Sequence, residues 1–210
     1  MLKKQQLYQQ LKRDIQLQHW QPSAVLTQQQ LAEYYNVSRI VVRDALQQLI
    51  NEGWLQSHGK AGIKVSNFTV AEANELCLLR LQLEPLALQL AAENLNFSIL
   101  GQAEDLLAAI DNNTQLSAFE RGDLNWQFHR RLYQECHKPH LLRLLDQLHQ
   151  QVSRYIGYQE QSMCYANTSA TEHRQLITLL RAGSIDAACT LLREHITTAT
   201  DALIQYLTKT

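Results

Sequence analysis

A mainly α fold in two parts is predicted by three features of the sequence. Between Leu31 and Gly53, the run LAEYYNVSRIVVRDALQQLINEG reads as a short helix, a turn and a second helix. After Gly53, Trp54–Ser57 and Ile63–Val65 are short β-prone runs whose connection holds two glycines, the pattern of a hairpin. From Val70 onward no strand signal appears, and apolar residues recur at spacings of three and four. The prediction is an N-terminal winged helix-turn-helix over residues 1–67, followed by an all-helical antiparallel bundle of about six helices over 68–210.

Leu7, Leu11 and Ile15 mark an amphipathic first helix, and Pro22 sits in the loop after it. Leu31, Ala32 and Tyr35 give the next helix its apolar face, Asn36 suits a left-handed turn residue, and Ser38 suits an N-cap. Val42, Ala45, Leu46, Leu49 and Ile50 form the buried stripe of the following helix, which stops at Gly53. Arg39 and Arg43 are four residues apart and leave that helix on one face, away from the stripe. Two guanidinium forks at a helix start suit bidentate pairing with guanine or docking on phosphate. The wing tip adds His58, Lys60 and glycine amides, Gly62 among them. Beyond a boundary near Ser66–Thr69, helices are expected at about 70–95, 98–113, 116–136, 140–160, 168–182 and 184–207, with Pro85 kinking the first of them.

Charge is unevenly spread. Residues 1–66 hold eight Lys/Arg against four Asp/Glu, whereas the other 144 hold eleven against sixteen. A basic head on an acidic body suits a DNA reader joined to a sensor. Cys77, Cys136, Cys164 and Cys189 form no CxxC pair, so free thiols in a reducing compartment are expected. The start, MLKKQQLYQQ, lacks an apolar signal core, and no run approaches membrane-spanning length, which points to the cytoplasm and away from a membrane.

Chemistry in the second part gathers around histidines. Asn125 and His129 stand at i and i+4, His173 lies in TEHRQLITLLRAG, and His195 lies in LLREHI. Three imidazoles from three helices could close on a divalent cation, Zn²⁺ or another late first-row metal such as Ni²⁺, with open positions for water or a carboxylate. His19, His58, His137, His140 and His149 read as surface or loop residues. A metal-dependent hydrolase is a competing class, but Glu172 is expected on another face than its neighbour His173, leaving no placed general base and no catalytic residue. An architectural DNA binder with a metal-free helical domain is the third class.

With those residues in view, positions 5–66 resemble the DNA-binding domain of GntR-family transcription regulators. The match rests on Ser38, Arg39, Val42, Arg43, Ala45 and Leu46 with the glycine-bearing wing. Ile40 and Val41 depart from the usual Thr and Pro, and Ser23 stands where a Gly commonly follows the Pro. Residues 70–207 are similar to the helical FCD effector domain of the FadR-type branch, through Arg80 with Glu84, Asn125 with Phe128-His129, Glu172-His173, and His195. The resemblance implies a metal bound by Asn125, His129, His173 and His195, and a small carboxylate effector. Asp is commoner than Asn at position 125, so this site carries one negative charge fewer. His137-Lys138 replaces the family's small Gly-Asn turn, and the helix count points to the VanR-type subgroup. Arg80 is either a surface ion pair with Glu84 or an effector clamp. Tyr133, one turn after His129, offers a hydroxyl to the cavity or an aromatic filling to the core. The implied function is a ligand-responsive homodimeric regulator, a repressor on a palindromic operator. Ser38, Arg39 and Arg43 would meet the major groove, with Lys60 and Gly62 at the wing.

Overall fold

Two separate hydrophobic cores organise the chain. In the computed structural model one unit comprises Met1–Phe68 and the other Thr69–Thr210. The structure describes residues 2–17, 19–59, 62–67, 69–154 and 164–209, with all side chains among them except those at 2, 3, 119 and 164–167.

In the first unit, Leu7, Tyr8, Leu11 and Ile15 repeat at helical spacing and bury one face of α1 (Leu2–Gln16). A short strand β1 (Val25–Thr27) leads into α2 (Gln28–Tyr34). Thr27 caps α2 reciprocally: its hydroxyl accepts from the Gln30 amide, and the Gln30 side chain accepts from the Thr27 amide. Asn36 makes the turn at φ 50°, the left-handed conformation its short polar side chain tolerates. Helix α3 (Arg39–Asn51) follows, burying Val42, Ala45, Leu46 and Leu49. Strands β2 (Leu55–His58) and β3 (Gly62–Val65) complete a three-stranded antiparallel sheet in the order β1-β3-β2. Val25 pairs with Lys64, and His58 pairs with Gly62. Strand β1 was not anticipated, because three residues with one buried side chain give too little alternation to detect. Ser23 has φ 66°, a backbone conformation that Gly enters without steric cost.

The second unit contains α4 (Val70–Ala91), α5 (Phe97–Asp111), α6 (Ala118–Tyr133), α7 (Pro139–Ser153), α8 (Cys164–Arg181) and α9 (Ile185–Leu207). Helix α4 packs on α7 and α9, and α5 on α6 and α8, around Phe128, Leu132, Tyr133, Leu145, Leu176 and Leu192. These helices are shorter than the apolar periodicity suggested at two ends. Tighter 3-10 turns, Ala92–Asn94 and Gln134–Cys136, take over from α4 and α6. The second turn closes on His137 at φ 52°. Residues 155–160, placed in the fourth bundle helix from sequence, lie outside the described residues. Helix α4 continues through Pro85, whose carbonyl accepts a hydrogen bond from the Cys189 thiol. Cys77, Cys136 and Cys189 are free thiols. No helix among the described residues is long and apolar enough to cross a membrane.

Candidate nucleic-acid interface and metal centre

At the start of α3, the Ser38 hydroxyl accepts the Val41 amide at 3.4 Å, so this serine fixes where the helix begins. Arg39 and Arg43 are exposed on that helix, as their spacing requires. Arg39 Nη2 donates to Gln29 Oε1 of α2 at 2.9 Å, and Arg43 Nε lies 3.6 Å from Asp44 Oδ1. These are surface interactions of modest strength, easily exchanged for a phosphate or base edge. Ile40 is 66% exposed, and it stands between the arginines in sequence. The first two turns of α3 thus present two guanidinium groups and one aliphatic side chain to solvent, the donors and apolar surface that a major groove accepts. In the wing, a Cβ at Gly62 would lie 2.7 Å from the His58 carbonyl oxygen, so close approach of β2 and β3 demands glycine there. Lys60 lies outside the described residues.

The histidines of the second unit converge. His129 on α6, His173 on α8 and His195 on α9 are each at most 4% exposed, and their ligand atoms lie within 4.8 Å of one another. Nε2 of His129 is 3.1 Å from Nε2 of His173. Two nitrogens bound to one ion at about 2.0–2.1 Å stand about 2.9 Å apart at a right angle and about 3.3 Å apart in a tetrahedron. The observed separation falls between these limits. Burial, and then the neighbouring imidazoles, push the His129 pKa well below its usual value; burial and the His195 ring do the same for His173. Both rings are therefore neutral near pH 7, the form that ligates a metal. Asn125, one turn before His129, has a buried Oδ1 with no hydrogen-bond partner among the described residues. An unsatisfied buried acceptor is costly, and a cation would satisfy it. The donor set of three imidazoles and one amide oxygen fits a late first-row divalent ion.

Around this cluster the structure refines the sequence reading at three residues. Glu172 does leave α8 on a different face from His173, but that face meets α9, where its Oε2 lies 2.7 Å from His195 Nδ1. Arg80 is not a surface pair: its side chain is 17% exposed, and it bonds the buried Glu84 carboxylate one turn along α4. His149 is half-buried on α7 and stacks on Trp126, with ring centroids 4.4 Å apart. Sequence reasoning named Glu84 as a partner of Arg80 and weighed Glu172 as a general base, but linked neither to a histidine of the cluster. Their signal was the carboxylate beside an arginine or histidine, yet which imidazole each serves depends on helix packing. Tyr133 is fully buried, donates to Glu84 Oε2 at 2.7 Å, and lies 3.2 Å from His129 Nδ1. Burial and the Glu84 carboxylate push its pKa well up, keeping the phenol protonated. Arg80 also lines a small cavity with Ala73, Leu76, Cys77, Val152 and Thr200.

Comparison with known proteins places both units among described domains. Residues 3–65 match the family described as "Bacterial regulatory proteins, gntR family", and residues 75–198 match the FCD domain. The chain is 30% identical over 197 residues to the uncharacterized HTH-type transcriptional regulator YdhC of Bacillus subtilis, covering 91% of this chain and 84% of that one. It is 26% identical to the Nta operon transcriptional regulator of Aminobacter aminovorans, over 90% of this chain and 89% of the relative. The solved structure of E. coli McbR/YncC has the same fold, with a TM-score of 0.75, 23% identity and 97% coverage of both chains.

Proposed function

From the premise that the chain belongs to the gntR family of bacterial regulatory proteins and carries an FCD domain, we propose that it is a metal-dependent, ligand-responsive repressor acting as a homodimer on a palindromic operator. Members of these families are DNA-binding transcription regulators, not enzymes. The observation that carries the finer reading is the convergence of three buried imidazoles within the FCD domain. His129, His173 and His195, with Asn125, would hold Zn²⁺ or Ni²⁺. The ion supplies positive charge and open coordination positions for a small organic acid. With an amide in place of a carboxylate at 125, the loaded centre keeps more of that charge and favours an anionic effector. Arg80 at the adjoining cavity and Tyr133 are the effector-facing candidates. On the DNA side, Arg39 and Arg43 read the groove, Ser38 sets the helix start against the backbone, and Lys60 and Gly62 belong to the wing. The six-helix count expected from the sequence points to the VanR-type subgroup. The site of action is the cytoplasm.

Two measurements test this reading. DNA selected from a random library with the full chain should bind in a gel shift at physiological salt, and Arg43→Ala should lose that binding while retaining the helical circular dichroism. Unchanged affinity would remove Arg43 from the interface. Separately, purified protein should take up about one Zn²⁺ or Ni²⁺ per chain, and a panel of small carboxylic acids should raise the melting temperature only in the loaded protein. Absence of metal uptake in the wild type, with His129→Ala indistinguishable from it, overturns the metal reading.

A further inference from the structure

We infer that Glu84, acting through Tyr133, is a positioning residue that holds His129 in the single tautomer able to present Nε2 to a metal. The inference rests on reading the three histidines as a metal centre. Glu84 is buried at 2% exposure, and its Oε1 accepts the Arg80 Nε–H. Its Oε2 receives the hydroxyl hydrogen of Tyr133, at 2.7 Å. A phenol has one hydrogen. With that hydrogen committed to Glu84, the Tyr133 oxygen can only accept from His129 Nδ1, 3.2 Å away. His129 thus carries its proton on Nδ1 and a lone pair on Nε2, the atom that faces His173. The opposite tautomer would set two lone pairs against each other between two buried side chains and would turn an N–H toward the ion, a costly mismatch in a low-dielectric interior.

A similar device serves His195 directly. Its Nδ1 faces the Glu172 carboxylate at 2.7 Å and donates to it, the outer-partner arrangement that orients a ligating imidazole. Glu84 and Glu172 approach the cluster from different helices, α4 and α8. Neither carboxylate needs to touch the ion to govern its ligands.

The test reads tautomers first and metal affinity second. Long-range ¹H–¹⁵N spectra of the metal-free full chain should show His129 protonated at Nδ1. Tyr133→Phe retains the ring and its packing but removes the acceptor, and should mix the tautomers and weaken Zn²⁺ binding about 10–100-fold, the usual effect of losing an outer partner of a ligating histidine. Glu84→Gln presents an amide that can donate to the phenol oxygen. The Tyr133 hydrogen then turns to His129 Nδ1, and the tautomer should flip to Nε2–H. If Glu84→Gln does not fold, Tyr133→Phe decides alone. An Nε2–H tautomer at His129 in the metal-free wild type overturns the inference, and so does a Tyr133→Phe protein with wild-type tautomer and Zn²⁺ affinity. A wild type that binds neither Zn²⁺ nor Ni²⁺ overturns the metal reading and this role together. Wild-type binding with an unaffected Tyr133→Phe overturns the relay alone.

Discussion

His129 and His173 carry the pH dependence of the metal-free helical unit. Both are buried and held neutral, with pKa values pushed below the ordinary 6.5, first by loss of water and then by neighbouring imidazoles. Above pH 6.5 the folded and unfolded chains bind the same protons at these sites, so no stability changes hands. Below it the unfolded histidines protonate while the folded ones resist, and stability falls with pH by up to about 1.4 kcal/mol per pH unit for each ring. A thermal melt series from pH 7.5 to 5.5 in a chelator should show this decline, and His129→Gln should reduce its slope; a flat profile in the wild type would contradict the assigned burial. The i, i+4 spacing of Asn125 and His129 puts them on one helix face in the sequence, whereas the joining of His173 and His195 to them was implied by the family resemblance and not by spacing. The place of Glu172 beside His195 was not legible there, since knowing that it diverges from His173 on α8 does not say which helix it meets. That answer lives in tertiary packing alone.

Among the elements, the turn between α6 and α7 is one place where local backbone preference is violated. His137 holds φ 52° and ψ 34° on the surface, where a β-carbon is unwelcome and glycine is at home. His137→Gly should stabilise the protein by up to about 1 kcal/mol, the saving in steric strain exceeding the added freedom of the unfolded chain. A higher denaturation midpoint at unchanged slope is the expected reading, and a lower one would assign His137 a tertiary role. Helix identities were legible from end to end because Leu-rich periodicity dominates this chain, as at Leu141, Leu145 and Leu148 of α7. Helix ends were less so. Apolar spacing persists through Ala92–Asn94 and Gln134–Cys136 although the backbone tightens there. Strand β1 escaped notice for the opposite reason, as its pairing with β3 is long-range and its own pattern is three residues long.

At the scale of the whole molecule, the two cores divide the thermodynamics. Met1–Phe68 and Thr69–Thr210 each bury their own apolar cluster, so each is expected to have its own unfolding transition. A divalent ion bound by the histidines stabilises only the second, by about 2.7 kcal/mol when present at a hundredfold excess over its Kd. Calorimetry with and without Zn²⁺ should move one transition upward by several degrees and leave the other in place; equal movement of both would place metal sites outside the bundle. The charge division follows the same line, since the basic balance belongs to the unit with the gntR-family helix-turn-helix and the acidic balance to the FCD unit. The depth of the histidine cluster has a kinetic meaning of its own. With His129, His173 and His195 each at most 4% exposed on three different helices, the imidazoles are largely closed off from solvent, and breathing of the bundle is the expected route to them. An ion seated there would exchange at the tempo of that breathing, at a rate indifferent to the concentration of any competing chelator, and the protein would remember its last metal encounter for longer than its affinity alone implies.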